Sequence, residues 1–136
     1  HLVVSSRLYP GVKETLEHFR GIPMAVVTNK TLEFSEPLLV QLGIRPYFGM
    51  IIGADTGLPL KPAPDAFLSI MRSFAIQKEL TVVVGDGTTD ILAGRAAGIT
   101  TCAVTYGFRS EAELRRAGPD HVIHTISELN NLFALA

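Results

Sequence analysis

The sequence predicts an α/β protein with a mostly parallel sheet, and three observations carry that expectation. Short apolar, β-branched runs recur at 23–27, 50–52, 82–84, 101–105 and 121–123. Stretches with apolar residues at helical spacing separate them, so strand and helix alternate along the chain. Within the runs the apolar residues are consecutive, as in strands covered on both faces. The 136 residues suit one domain, and a hydrophobic share of 47% is enough to build its core.

Taken in order, Pro10-Gly11 opens a first helix with Val12, Leu16 and Phe19 on one face and a stop at Gly21. The strand at 23–27 ends at Thr28-Asn29-Lys30. A second helix covers roughly 32–42, with Leu38, Leu39 and Leu42 inward, Gly43 as its stop and Pro37 expected in or near its first turn. After the strand at 50–52 comes a Gly- and Pro-rich loop at 53–64. The helix at 65–74 has Phe67, Ile70, Met71 and Phe74 on its apolar side. A further helix follows the strand at 82–84 and ends at Gly98. Ser110 is the expected N-cap of a helix at 110–117, and Ser127 that of a terminal helix ending in Leu132 and Leu135.

The most informative stretch is Val82-Val83-Val84-Gly85-Asp86-Gly87-Thr88-Thr89-Asp90. A buried strand stops at a tight turn, and a helix begins directly after it. Ligands of open α/β sheets bind outside the carboxyl ends of the strands, which is where Asp86 falls. Asp90 lies in the first helical turn and can point into the same cleft. Two such carboxylates suit a hard divalent cation such as Mg2+. They equally suit a turn former and a helix cap, and the residues alone leave both readings open. Two further strand ends or loops carry polar groups: Thr28 with Asn29 beside it, and Lys61 in Leu60-Lys61-Pro62-Ala63-Pro64-Asp65. The two prolines hold that loop out of a helix, and a stiff loop presenting one lysine can set a cation against a phosphoryl group.

Other classes find no support. The formal charge is −1 and the basic residues are scattered, with Arg115-Arg116 the single adjacent pair, so neither nucleic acid nor a membrane surface is an expected partner. No apolar run approaches the roughly 20 residues that span a bilayer, and no secretory signal opens the chain. The lone Cys102 sits in an apolar strand and suits a reducing, cytoplasmic setting. No Gly-x-Gly-x-x-Gly or Walker sequence follows a strand. His18, His121 and His124 lack paired ligand spacing and read as structural, and Arg109 as a surface arginine.

With those residues in hand, the chain resembles the haloacid dehalogenase (HAD) superfamily of aspartate-nucleophile phosphatases. Val26-Val27-Thr28-Asn29-Lys30 looks like its second motif, Lys61-Pro62 its third, and Val83 through Asp90 its fourth. Tyr9-Pro10-Gly11-Val12 and Tyr47-Phe48 are similar to the phosphoglycolate phosphatase branch. The resemblance implies a Rossmann-like three-layer sandwich, a Mg2+ cofactor and a small phosphorylated metabolite as substrate. It also implies roles: Thr28, Asn29 and Lys61 on the phosphate, Thr28 and Lys61 in catalysis, and Asp86 and Asp90 at the metal. Asp90 would act on the ion directly, through water, or by orienting Lys61.

One family element is missing. The superfamily begins with a strand ending in Asp-x-Asp, and no Asp-x-Asp occurs in this sequence. The chain is therefore expected to be the C-terminal part of a longer phosphatase. It would need an upstream segment to complete its sheet, and would be inactive and aggregation-prone or oligomeric without it. The alternatives are a catalytically dead phosphate- or metal-binding domain, or another branch such as a β-phosphoglucomutase or a pyrophosphatase.

Overall fold

The computed structural model describes residues 11–106 and 109–133. Six helices and five strands alternate over these residues: α1 (Val12–His18), β1 (Ala25–Val27), α2 (Leu32–Gln41), β2 (Met50–Ile52), α3 (Asp65–Phe74), β3 (Val82–Gly85), α4 (Thr88–Ala97), β4 (Thr100–Val104), α5 (Glu111–Arg116), β5 (His121–Ile123) and α6 (Leu129–Leu132). The strand pairing is parallel throughout, as the alternation predicts. It falls into two groups, β1 with β2 and β3 with β4 and β5.

Those groups are two halves of one layer, because β1 and β3 contribute to the same cores on both faces. On one face Val26 packs with Val12, Leu16, Leu39, Cys102, Val104 and Ile123, and Val84 lies against that cluster. On the other face Val27 and Ile52 pack with Val83, Phe67, Met71, Ala93 and Ala97. Helices α1, α2 and α6 thus cover one face, and α3 and α4 the other. Among the described residues, no strand lies between β1 and β3, and a seam separates the two groups.

Glycine fixes how closely α4 rides on the sheet. A Cβ at Gly94 would lie 2.6 Å from both Thr101 Cγ2 and Val83 Cγ1. Any side chain there would lift the helix and move its first turn away from the end of β3. Gly98 ends α4 with φ 77°, a conformation open to glycine without Cβ strain.

Two boundary expectations are corrected. Pro37 lies in the middle of α2, not its first turn, because α2 starts at Leu32. That start is fixed from outside: Thr31 Oγ1 accepts the Phe34 N–H, and Asp55 Oδ1 accepts the Leu32 N–H at 2.8 Å. Ser127 is not the terminal cap. Glu128 accepts the Thr125 N–H at 2.9 Å, and a 3-10 turn over Ile126–Glu128 with Thr125 as its N-cap runs into α6. Pro10 and Leu135 lie outside the described residues. No helix among those described is long and apolar enough to cross a membrane.

Candidate active site

The strand-end expectation holds spatially: Thr28 follows β1, Asp86 follows β3, and Asp90 is the third residue of α4. Lys61, from the loop between β2 and α3, joins them across the seam. Its Nζ donates to Val27 O at 2.9 Å and pairs with Asp90 Oδ1. The Thr28 N–H donates to Ile52 O on β2. That N–H and the Val27 carbonyl belong to one trans peptide unit and point to opposite edges, so the carbonyl faces the seam. The lysine ammonium therefore stands at the carboxyl-end mouth of the gap between β1 and β3.

Lys61 and Asp90 are both buried, at 6% and 2% exposure. A charge so placed is tolerated only with its partner, and removing one member of such a pair costs about 3–5 kcal/mol. The other Asp90 oxygen, Oδ2, accepts the Gly87 N–H at 3.2 Å. Both carboxylate oxygens thus have protein partners, one of them the Lys61 ammonium. Gly85 makes room for it: a Cβ there would stand 2.5 Å from Asp90 Cγ and 2.6 Å from Asp90 Cβ.

Among the described residues, Asp86 differs from Asp90 in having no cationic side chain paired with it. Its pKa is raised above the ordinary aspartate value, first by burial and then by the charge of Asp90, with Lys61 pulling weakly the other way. Thr28 Oγ1 accepts the Lys30 N–H at 3.1 Å, so its own proton is free to point elsewhere. The Asn29 side chain is engaged within the protein. Its Oδ1 accepts the Lys61 N–H at 3.0 Å and its Nδ2 donates to Lys61 O at 3.1 Å.

Several groups stand apart from this centre. Arg109 pairs with Glu113 at 3.4 Å on the surface, as a loop arginine would. His18 packs edge-on against Phe19, His121 against Phe133, and His124 lies 3.0 Å from Glu111. Cys102 is fully buried, and burial pushes its thiol up to about 12, so it is no nucleophile. Sequence reasoning missed three contributors: the Val27 carbonyl, the seat left by Gly85, and Asp55, which ties the loop after β2 to the start of α2. Only Gly85 left a trace in the sequence, as the first glycine of Gly-Asp-Gly.

The chain matches the family model of haloacid dehalogenase-like hydrolases over residues 2–104. It is 38% identical over 133 residues to a phosphoglycolate phosphatase of Nitrosococcus oceani, covering 96% of this chain and 59% of that protein. It is likewise 38% identical over 126 residues to phosphoglycolate phosphatase 1 of Pseudomonas aeruginosa, covering 91% of this chain and 46% of the relative. The chain thus spans about half the length of these curated relatives. The crystal structure of a predicted phosphoglycolate phosphatase from Haemophilus somnus is similar with a TM-score of 0.87 at 32% identity, covering 93% of this chain and 57% of that one. A conserved haloacid dehalogenase-like protein of unknown function from Agrobacterium tumefaciens gives 0.84 at 28% identity, with coverages of 93% and 60%.

Proposed function

This chain belongs to the haloacid dehalogenase-like hydrolases, and on that premise we propose that it is part of the catalytic core of a Mg2+-dependent phosphomonoester hydrolase, with phosphoglycolate the favoured substrate. The observation that carries the reading is the placement of the Lys61 ammonium. It stands at the mouth of the β1–β3 seam with Thr28 on one side and Asp86 on the other. In this reading a strand from outside these 136 residues fills the seam and brings a nucleophilic aspartate and a second, proton-bearing aspartate. The first forms a P–O bond as the substrate alcohol leaves with the proton of the second. Water then cleaves the acyl phosphate, returning its proton to that second carboxylate and releasing inorganic phosphate.

The residues of this chain do the positioning, which is most of what phosphoryl transfer asks of a protein. Lys61 neutralises charge shared between the nucleophile and the phosphoryl oxygens. Thr28 donates its free hydroxyl proton to one of those oxygens. Asp90 holds Lys61 in register. Asp86 fits a hard cation, since its carboxylate is half-buried, strains against the charge of Asp90, and has no cationic side chain paired with it among the described residues. Among the described residues no cluster of three or more metal-ligating side chains forms, so water, phosphate and the seam strand would complete the coordination. The bound ion would supply positive charge toward the phosphoryl oxygens.

The test is hydrolysis of phosphoglycolate against a panel of other phosphomonoesters by the complete protein, with and without Mg2+. Asp86→Asn is expected to abolish the metal-dependent rate, and metal-independent turnover unchanged by that substitution would sink the assignment. The absence of Asp-x-Asp from these residues supports one other reading, a binding domain that has lost its chemistry. Phosphate binding without turnover in the complete protein would favour it.

A further inference from the structure

Lys61 has an unusual backbone setting. Pro62 follows it, Pro64 lies just beyond, and the loop belongs to neither a strand nor a helix. Its N–H and its carbonyl nevertheless both find partners, and both are on one side chain, that of Asn29. A primary amide carries one carbonyl and one NH2, so it can meet a peptide N–H and C=O together. One orientation of the amide satisfies both, with Oδ1 on the Lys61 N–H and Nδ2 on its carbonyl.

The other end of Lys61 returns to the same strand end, where Nζ donates to Val27 O. Val27, Asn29 and Lys61 thus close a ring. The lysine is held by its backbone at Asn29 and by its ammonium two residues earlier on β1. The loop carrying Asn29 is itself pinned to the loop after β2. The Ala54 N–H donates to Lys30 O at 2.8 Å, and Asp55 Oδ1 takes the Leu32 N–H. A Cβ at Gly53 would fall 2.8 Å from Lys30 O and 2.9 Å from Leu32 N, so the two loops meet without intervening side chain.

We infer that Asn29 is a positioning residue that sets the Lys61 ammonium through this two-point amide clamp, acting on the phosphoryl group through Lys61 and not by touching it. The inference rests on the phosphatase reading for its consequence in turnover, but the clamp itself is a matter of binding geometry. An aspartate at this position keeps the shape and can still accept the Lys61 N–H. It cannot donate to the Lys61 carbonyl, which would then face a carboxylate oxygen.

The experiment is a double-mutant cycle in the complete protein, read in kcat/KM for phosphoglycolate and in the affinity for inorganic phosphate. Asn29→Ala is expected to lower kcat/KM about 10- to 100-fold, the scale set by misplacing a catalytic group by about 1 Å. Asn29→Asp is expected to resemble it rather than restore activity. In a Lys61→Met background the same Asn29→Ala change is expected to cost about 2-fold or less in either readout, because the group it positions is gone. Where Lys61→Met folds poorly, Lys61→Met with Asp90→Asn serves as the background, since it leaves no orphan buried charge. Losses that stay equal in both backgrounds would mean that Asn29 touches the phosphate itself and would overturn the clamp. A lowered melting temperature with kcat/KM of the folded protein unchanged would overturn it too. A wild type that shows the coupled phosphate affinities yet hydrolyses no phosphomonoester would sink the phosphatase reading and leave the clamp standing.

Discussion

The two glycines of Gly85-Asp86-Gly87 look interchangeable in the sequence, and the structure predicts that they are not. Gly87 has φ −117° and ψ 151°, extended backbone that any residue adopts, and a Cβ there would meet Asp90 Oδ2 at 3.4 Å. That distance is ordinary van der Waals contact. Gly85 is different. Its added Cβ would stand 2.5 Å from Asp90 Cγ and 2.6 Å from Asp90 Cβ, about 1 Å inside ordinary contact. Asp90 cannot yield by that amount and keep both Lys61 and the Gly87 N–H. Forcing a methyl into a packed site costs about 1–3 kcal/mol, and loosening a buried pair adds to it, up to about 3–5 kcal/mol if Lys61 loses its partner outright. Gly85→Ala is therefore expected to destabilise the complete protein by about 3 kcal/mol or more in urea denaturation. Its residual kcat/KM is expected to fall about 100-fold through the displaced lysine. Gly87→Ala is expected to stay within about 0.5 kcal/mol of wild type. Equal stabilities for the two variants would refute the argument that Asp90 is seated in the space Gly85 leaves.

Other outcomes follow from the same centre. Lys61→Met should strongly lower turnover while affecting substrate affinity less, since its charge matters most as charge builds on the phosphoryl group; equal losses for Lys61→Met and the surface variant Lys30→Met would count against it. Because Lys61→Met strands a buried carboxylate, adding Asp90→Asn is expected to recover stability but not activity, measured by thermal melting beside the kinetic assay. Burial and Asp90 raise the Asp86 pKa in the folded state. Its charge therefore opposes folding as pH rises from the ordinary aspartate value near 3.8 through the raised one, and that penalty persists at neutral pH. Without metal, Asp86→Asn should melt at or above the wild-type temperature at pH 7, and it should lose the upward shift that Mg2+ gives the wild type. The 136 residues expressed alone should be inactive and either oligomeric or poorly folded, because among the described residues no strand joins β1 to β3. A monomer with cooperative unfolding, seen by sedimentation and urea titration, would contradict that.

The layers were legible because apolar runs bounded by glycine and proline are strong signals: β2 and α3 begin and end where the residues say. Pro37 misled because its first-turn preference is only a tendency: α2 begins at Leu32 as expected, held there by Thr31 and by Asp55, 23 residues away, and runs on through the proline. The terminal cap was readable in principle, since Thr125-Ile126-Ser127-Glu128 is a capping box. At the site, the strand-end rule placed Thr28 and Asp86, and helical spacing placed Asp90. The partners of Lys61 could not be read in this way. Asn29 beside Thr28 invites a phosphate contact, and only the fold shows its amide already spent on a backbone far along the chain. Pairwise contacts between distant loops leave no periodicity for a sequence argument to find.

The seam is where the stability of this fold and its proposed chemistry meet. Unpaired strand edges invite association with other chains, and natural sheets often blunt them with an inward-pointing charge. Lys61 is placed as such a charge, since it occupies the one β1 carbonyl that faces the seam at its mouth. Deeper in, β1 and β3 contribute Val26, Val27, Val83 and Val84 to the cores on both faces. A strand entering the seam would therefore find apolar cover above and below it. Running parallel to its neighbours, it would bring its carboxyl end beside Lys61, Thr28 and Asp86. On the proposed reading, the same lysine would then meet the acidic groups that strand carries, so that completing the sheet and completing the site would be a single event.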